Sequence, residues 1–366
     1  MINNILKYLD FLIQQDTQNP PRNIAKDDVL FHYLSTHFNA LGFVVEVTDL
    51  GDGHVIFYAQ KGQPDILFNV HLDTVPVTES TLASWQHEPF KLSVVADKAY
   101  GRGSCDIKGA VACLMQVAQH SDDMAVVFTS DEEGANGCCV QWFIDHNDLS
   151  QYSQIIIAEP TSAQAVVSHR GYLSSQVEFY GSCGHSSMAI ALTENAIHKA
   201  NNWLTQALKY AHSHVNENNL AGICFNVGVI NGGEKNNMIA ESVNLNFSAR
   251  VPSGVSSQQV FDALKSYDSD KKSTWKASMM VPALPAYSES GKPSTVDDSL
   301  NFCKKHHIKV TQAVDFWTEA ALFSQAGFAA MVLGPGDIKQ AHTIDEWVEL
   351  SQLEAIYHIY NKVINP

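Results

Sequence analysis

The sequence lacks the features that mark membrane-spanning, secreted and nucleic-acid-binding proteins. Its apolar runs fall far short of the roughly 20 residues that span a bilayer. The N-terminal segment 1–13 has no basic stretch and carries Asp10 among its apolar residues, so we expect no signal peptide. Lys and Arg total 23 against 39 Asp and Glu, a formal net charge of -16, and no long basic run is present. We therefore expect neither nucleic acid nor a membrane surface as a partner.

Two further absences exclude particular kinds of covalent, metal and catalytic site. The seven cysteines are scattered without C-x-x-C spacing, which indicates reduced thiols in a cytoplasmic protein and argues against a disulfide framework or a structural zinc knot. The motifs HExxH and GxSxG are also missing. The sequence therefore gives no sign of a single-zinc peptidase or of a hydrolase that forms an acyl-enzyme intermediate.

The composition and patterning are those of a globular protein with an α/β domain and an inserted α+β domain. The chain has 366 residues, of which 45% are hydrophobic and 17% are charged, enough to bury a full core. The alternation of predicted strands and helices indicates a mostly parallel, doubly wound catalytic sheet built from residues 1–170 and 282–366. Between them, residues 171–281 follow the order strand, helix, strand, strand, helix, strand. This order is typical of an inserted α+β domain of the ferredoxin-like kind.

Side chains that can bind metals follow several predicted strands. The apolar run Ile66–Val70 is typical of a buried parallel strand, and His71 and Asp73 come directly after it. The other such positions, each at a strand end or in a turn, are Asp106, Glu132, Glu133, Glu159 and His342. Each has a structural alternative when taken alone, since Asp is a common helix N-cap and acids favour the first turn of a helix.

Taken together, these positions predict a metal centre. Parallel strands bring their carboxyl ends to one edge of the sheet. Carboxylates that converge there repel each other strongly unless cations lie between them. The two histidines and three of these carboxylates suit a pair of zinc-like divalent ions.

Six motifs, in their order along the chain, resemble those of the M20 metallopeptidase family. They are HLDTVP (71–76), GRGSCDIKG (101–109), DEEG (131–134), EPT (159–161), GHSS (184–187) and AHTIDE (341–346). The resemblance spans nearly the whole chain. It implies that the inserted domain, residues 171–281, is a lid through which two copies form a homodimer.

The resemblance also implies roles for the metal-capable residues. The ligands of one zinc ion would be His71, Asp106 and Glu159. Those of a second zinc ion would be Asp106, Glu133 and His342, with Asp106 shared and a cis peptide bond after it. Asp73 would orient His71, and Glu132 matches the general base. Cobalt is the alternative metal.

Further residues are implied to contact the substrate. His185 in GHSS matches a lid histidine that reaches into the partner subunit's site. The proposed substrate contacts are Arg250, Asn237, Glu319 and Gly334. Structural alternatives stay open for three of them, namely a salt bridge for Arg250, a pairing within the fold for Glu319 and a turn at Gly334. Ala240 replaces a proline of the family pattern near Asn237, which leaves the rigidity of that loop open.

Within the family, two segments resemble the acetylornithine and acetylcitrulline deacetylase branch. They are FNVGVINGGEKNNMIA (225–240) and FWTEAALF (316–323). The implied substrate is an N-acetyl-α-amino acid on the route to arginine, and the implied reaction is hydrolysis of its amide. An ornithine side chain would need a facing carboxylate, for which Glu319 is a candidate, whereas a citrulline ureido group would need amide-like partners.

Other functions stay open at this point. Within the family, the alternatives are a succinyl-diaminopimelate desuccinylase, an aminoacylase or a carboxypeptidase. From other classes, GRGSCD (101–106) begins like a dinucleotide-binding GxGxxG motif, although Asp106 stands where its third glycine should be. A non-catalytic, metal-binding dimeric module is the other alternative, and the presence of Glu132 beside the metal ligands argues against it.

Overall fold

The computed structural model describes residues 1–134, 138–213, 222–287 and 295–365. Its helices are α1 (Ile2–Gln14), α2 (Val29–Ala40), α3 (Glu79–Leu82), α4 (Lys108–Ala118), α5 (Cys138–His146), α6 (Ala196–Ser213), α7 (Ser257–Ser266), α8 (Val296–His306), α9 (Ala320–Gln325) and α10 (Leu350–Ile364). Its strands are β1 (Val44–Asp49), β2 (Val55–Lys61), β3 (Ile66–His71), β4 (Ser93–Val95), β5 (Lys98–Tyr100), β6 (Met124–Thr129), β7 (Gln154–Pro160), β8 (Gly171–Tyr180), β9 (Cys224–Gly232), β10 (Ser242–Val251), β11 (Thr274–Val281), β12 (Ala330–Gly334) and β13 (Trp347–Glu349). Among the described helices, none is both long enough and apolar enough to cross a membrane.

The chain divides into two compact units. The first comprises Met1–Val167, Pro293–Gln312 and Thr318–Pro366, and the second comprises Ser168–Lys292 and Ala313–Trp317. The second unit extends beyond the predicted insertion, residues 171–281, because the short segment 313–317 joins it through hydrogen bonds. The Val314 N–H donates to the Ser168 carbonyl at 3.2 Å, and the Trp317 indole N–H donates to the Pro282 carbonyl at 2.9 Å.

A six-stranded sheet forms the centre of the first unit. Its strand order is β1-β2-β6-β3-β7-β12, in which β6, β3, β7 and β12 run parallel while β1 and β2 are antiparallel to their neighbours. Every residue of the four parallel strands is buried, as expected for strands covered on both faces. The predicted mostly parallel sheet is therefore confirmed. Since β3 lies between β6 and β7, the residue that ends it lies at the middle of the carboxyl edge.

Helices with apolar faces cover this sheet. Helix α1 places Ile5, Leu9 and Leu12 at helical spacing in the core, and it packs on α4. Helix α4 is buried along its whole length and also contacts α10. A small sheet of β13, β5 and β4 lies in the same unit. It matters for the site because the segment AHTIDE leads directly into β13.

The second unit is an antiparallel sheet with two helices. Its strand order is β11-β8-β10-β9, and α6 and α7 pack on it. Strand β8 alternates buried and half-buried residues, the pattern of a sheet covered on one face. The buried side chain of Trp203 on α6 packs against Phe247 of β10. Element order and sheet order match the predicted ferredoxin-like arrangement.

Candidate metal centre

A buried histidine ends the central strand of the first unit. His71 is the last residue of β3 and is 2% exposed. Its Nδ1 atom lies 2.9 Å from the backbone oxygen of Asp73 and 3.5 Å from the Asp73 carboxylate. These contacts leave the Nε2 atom for other partners. Asp73 is thus placed to orient the ring, chiefly through its backbone oxygen.

Asp106 lies between two histidines that are far apart in the chain. Its Oδ1 atom is 3.0 Å from the Nε2 atom of His71, and its Oδ2 atom is 3.3 Å from the Nε2 atom of His342. Asp106 follows a tight turn in which Gly103 has a φ of +80° and accepts the Lys108 N–H at 2.7 Å. The peptide bond between Asp106 and Ile107 is cis.

Asp106 is shared by two groups of possible metal donors. The first group is His71, Asp106 and Glu159, and the second is Asp106, Glu133 and His342. Within each group the donor atoms lie within 4.8 Å of one another. The Nε2 atom of His71 is 3.4 Å from Glu159, and that of His342 is 3.0 Å from Glu133. The structure therefore brings together all five residues that the sequence predicted as metal ligands.

The Asp73 carboxylate connects β3 to the acids that follow β6. It accepts the Glu133 N–H at 2.9 Å, the Glu132 N–H at 3.3 Å and the side-chain amide of Asn19 at 2.9 Å. Glu132 lies beside the cluster, in a further possible donor group with His71 and Glu133. One buried aspartate thus positions both the histidine and the acidic segment.

The electrostatics of the cluster fit bound cations. Burial and the nearby Glu159 carboxylate raise the pKa of Glu132 well above its usual range, and burial does the same to the pKa of Glu159. Hydrogen bonds to Asp106 and Glu133 raise the pKa of His342 to about 10. Positive charge among these carboxylates would relieve their repulsion. Imidazole nitrogen and carboxylate oxygen are donors that suit zinc and related divalent ions, so the residues present fit a pair of such cations.

Glu346, which no sequence pattern marks as a site residue, holds the Asp106 loop. Glu346 is fully buried, and its carboxylate accepts the N–H groups of Gly103 at 3.0 Å, Cys105 at 2.9 Å and Asp106 at 2.9 Å, and the guanidinium of Arg102 at 2.7 Å. The segment AHTIDE therefore supplies both His342 and the anchor of Asp106. In the sequence, Glu346 is only a charged residue directly before the segment that forms β13. Its hydrogen-bond partners, within residues 102–106, are far away in the chain, so no local pattern indicates its role.

We expect Glu346→Gln to weaken metal binding about 10- to 100-fold, the usual cost of removing a group that orients a metal ligand. The neutral amide offers one oxygen to the loop and turns an N–H toward its backbone donors. Because Asp106 belongs to both donor groups, both metal affinities should fall in titrations of metal-free protein. Glu349→Gln is the matched control, since Glu349 lies in β13 and its carboxylate accepts a hydrogen bond from the Ser351 hydroxyl. If Glu346→Gln bound metal as tightly as the wild type, this result would contradict the role of Glu346 in anchoring the Asp106 loop.

Two predicted substrate residues are buried within the first unit. Glu319 is 0% exposed, and its oxygens accept from the Thr129 hydroxyl at 3.3 and 3.2 Å. Gly334 donates its N–H to the Thr161 hydroxyl at 3.0 Å. A Cβ atom at Gly334 would lie 2.2 Å from the Ala158 carbonyl oxygen, so close strand packing requires the glycine. These contacts favour the structural alternative at Glu319 over direct substrate contact. At Gly334 they also give a structural reason for the residue, but it is the close packing of β12 on β7 and not the expected turn.

The stability of the metal-free protein should depend on pH through Glu319. Burial, with the nearby Asp131, raises the pKa of Glu319 from an ordinary 4.5 to about 8. Between these values the unfolded chain has released this proton while the folded protein keeps it, so the free energy of unfolding falls as pH rises. Glutamine does not titrate, so the Glu319→Gln variant should not lose stability in this way. In chelator, the melting temperature of the variant minus that of the wild type should therefore increase from about pH 5 to about pH 8. A constant difference would contradict the assignment.

Three other predicted residues belong to the second unit. The Ser186 N–H donates to the Asn237 carbonyl at 3.0 Å, so the segments that carry His185 and Asn237 are adjacent. His185 is not buried. Arg250, near the end of β10, stacks its guanidinium 4.4 Å from the ring centre of Tyr172. The roles of these residues toward a substrate stay predictions.

A mostly parallel α/β sheet gathers two histidine–carboxylate donor groups at its carboxyl edge, an arrangement suited to a metal-dependent hydrolase. The sequence profile of the peptidase family M20/M25/M40 matches residues 67–365. The chain belongs to this family. The predicted resemblance is therefore confirmed.

Individual relatives cover nearly the whole chain. An N-acetyl-L-citrulline deacetylase of Xanthomonas campestris pv. campestris is 38% identical, over 100% of this chain and 98% of its own length. An acetylornithine deacetylase of Proteus mirabilis is 28% identical, over 92% of this chain and 89% of its own length. The solved structure of the M20 family metallo-carboxypeptidase Sso-CP2 from Sulfolobus solfataricus shares the fold, with a TM-score of 0.73, 17% identity and coverage of 98% of each chain.

Proposed function

We propose that this protein is a deacetylase that hydrolyses an N-acetyl-α-amino acid to acetate and the free amino acid. The observation that carries the proposal is the sharing of Asp106 between two donor groups at the carboxyl edge of the sheet. The end-to-end similarity to the N-acetyl-L-citrulline deacetylase supports the substrate class.

Among acetylated amino acids, N-acetylcitrulline is the first candidate and N-acetylornithine the second. An ornithine ammonium would need an opposing carboxylate, and Glu319 was the candidate in the sequence. Its full burial and its hydrogen bonds to Thr129 make it a poor partner for a substrate side chain. This favours the neutral ureido group of citrulline.

The proposed roles follow from the position of each side chain. His71, Asp106 and Glu159 would hold one divalent cation, and Asp106, Glu133 and His342 the other. When bound, such cations lower the pKa of water and polarise an amide carbonyl. Glu132 then accepts a proton from the attacking water as the new C–O bond forms, and donates it to the amine nitrogen as the C–N bond breaks. Asp73 keeps His71 and the Glu132–Glu133 backbone in place through the contacts described above.

Zinc is the proposed metal, with cobalt able to replace it, because both groups combine imidazole nitrogen with carboxylate oxygen. A cytoplasmic location is proposed, in agreement with seven free cysteines. We also propose a homodimer that forms through the second unit. Strand β9 ends its sheet and carries the exposed Val229 and Ile230, and such an edge can pair with another chain. In that dimer His185, Asn237 and Arg250 would contact the substrate.

A substrate panel tests the proposal. Purified protein would be assayed with N-acetylcitrulline, N-acetylornithine, N-acetylmethionine and N-succinyl-diaminopimelate, each with added Zn²⁺ or Co²⁺. We expect the highest kcat/KM with N-acetylcitrulline and release of acetate. Faster turnover of the succinylated substrate, or turnover of none of the four, would overturn the proposed function.

A further inference from the structure

A second kind of donor cluster lies on another part of the first unit. His54, Asp131 and Cys138 each place a donor atom within 4.8 Å of the others. His54 directly precedes β2, Asp131 follows β6, and Cys138 is the first residue of α5. The set combines nitrogen, oxygen and sulfur donors and shares no residue with the two groups at Asp106. Neither the family profile nor the names of the relatives accounts for it.

The position of His54 is fixed by its neighbours. The Ser130 hydroxyl donates to the Gly53 carbonyl at 2.7 Å and accepts the Val55 N–H at 2.7 Å. These two bonds hold the residues on either side of His54 against the end of β6. The Nδ1 atom of His54 lies 3.0 Å from the Oδ2 atom of Asp131. The histidine and the aspartate are therefore held in position before any ligand binds.

The Asp131 carboxylate is only partly satisfied by the protein. Asp131 is 0% exposed, and its Oδ2 atom also accepts the Cys139 N–H at 3.0 Å. Its Oδ1 atom is buried and has no hydrogen-bond partner among the described residues. A buried carboxylate oxygen without a partner is costly. A cation bound beside it would supply the missing interaction.

The charges around the cluster permit a divalent ion. Burial and the nearby Asp131 carboxylate raise the pKa of the Cys138 thiol, and Arg22 lowers it. A thiolate and the Asp131 carboxylate together outweigh the positive charge of Arg22. Metal binding displaces the thiol proton, and sulfur together with imidazole favours zinc-like ions over magnesium or calcium.

We propose that His54, Asp131 and Cys138 bind a third divalent cation of the zinc type. This ion joins the β2 hairpin to the end of β6 and the start of α5. Glu132 and Glu133 follow Asp131 directly, so the ion braces the segment that brings them to the metal centre. The proposal stands independently of the substrate, because it concerns binding and not turnover.

Cobalt provides a direct test of the third site. The two groups that share Asp106 contain no sulfur, so a sulfur-to-cobalt charge-transfer band in the near-ultraviolet spectrum of the Co²⁺-substituted enzyme reports on a thiolate ligand alone. We expect this band in the wild type, together with one equivalent of bound metal more than in Cys138→Ser. The matched control is Cys224→Ser, which replaces another exposed cysteine and should keep both the band and the extra equivalent.

His54→Gln distinguishes a built site from a metal held by an exposed thiol. It should lose the band and the extra equivalent just as Cys138→Ser does. Retention of both in His54→Gln would show adventitious binding to the thiol and overturn the three-donor site. Identical spectra and metal content in the wild type and in Cys138→Ser would also overturn the three-donor site.

Discussion

We expect replacement of Glu132 by alanine to lower the rate of amide hydrolysis about 10²- to 10⁴-fold, the usual effect of removing a general base, and to leave the metal content near that of the wild type. Glu132 belongs to neither donor group that contains Asp106, so its loss removes no ligand from them. The site keeps its cations but lacks the group that takes the proton from water. Steady-state rates and metal analysis on the same preparation measure both quantities.

Glu132→Ala also separates two assignments of this residue. Glu132 forms another possible donor group with His71 and Glu133, and a ligand role there would cause metal and activity to be lost together. Loss of metal, or a wild-type rate, would contradict the general-base role. Glu88→Ala removes an exposed glutamate of the same unit and is the matched control, which should keep both its rate and its metal.

Asp106→Asn has the largest expected effect on metal binding, because both donor groups use this carboxylate. Its two oxygens lie 3.0 Å from the ring nitrogen of His71 and 3.3 Å from that of His342, and asparagine retains only one oxygen acceptor. We expect the affinity for each of the two cations to fall by more than the roughly 10- to 100-fold that follows loss of a residue that only hydrogen-bonds to a metal ligand. Activity should disappear at ordinary metal concentrations.

Comparison variants make the Asp106→Asn result specific. Glu159→Gln changes only the group with His71, so we expect it to weaken one cation and spare the other. Asp297→Asn changes an exposed aspartate in the first turn of α8 and should bind both cations normally. If Asp106→Asn and Glu159→Gln lose the same single cation, Asp106 is not shared and the two-group description is incorrect.

The sequence was most informative where strand order determines position. His71 and Glu159 end buried parallel strands, and Glu133 follows another, so their convergence at one edge could be expected from the apolar runs before them. Asp106 and His342 lie in loops, so strand order alone does not place them at this edge, and the motif resemblance assigned each of them to a donor group. The structure brings all five residues together.

Features that depend on side-chain partners distant in the chain could not be predicted. Glu346 acts on the Asp106 loop through hydrogen bonds that no local pattern encodes. Glu319 resembled a substrate contact because a carboxylate in a motif looks the same whether it is buried or exposed. Gly334 is explained by the close approach of β7, which appears only once the strands are paired. The segment 313–317 joins the second unit through similarly distant bonds.

The most direct test of the central claim is to remove and restore the metal of the wild-type enzyme. N-acetylcitrulline hydrolysis would be followed in excess chelator and then during addition of Zn²⁺, with bound metal measured in parallel. We expect no hydrolysis in chelator and recovery of the rate as the groups that share Asp106 fill. Full activity in excess chelator would contradict the account.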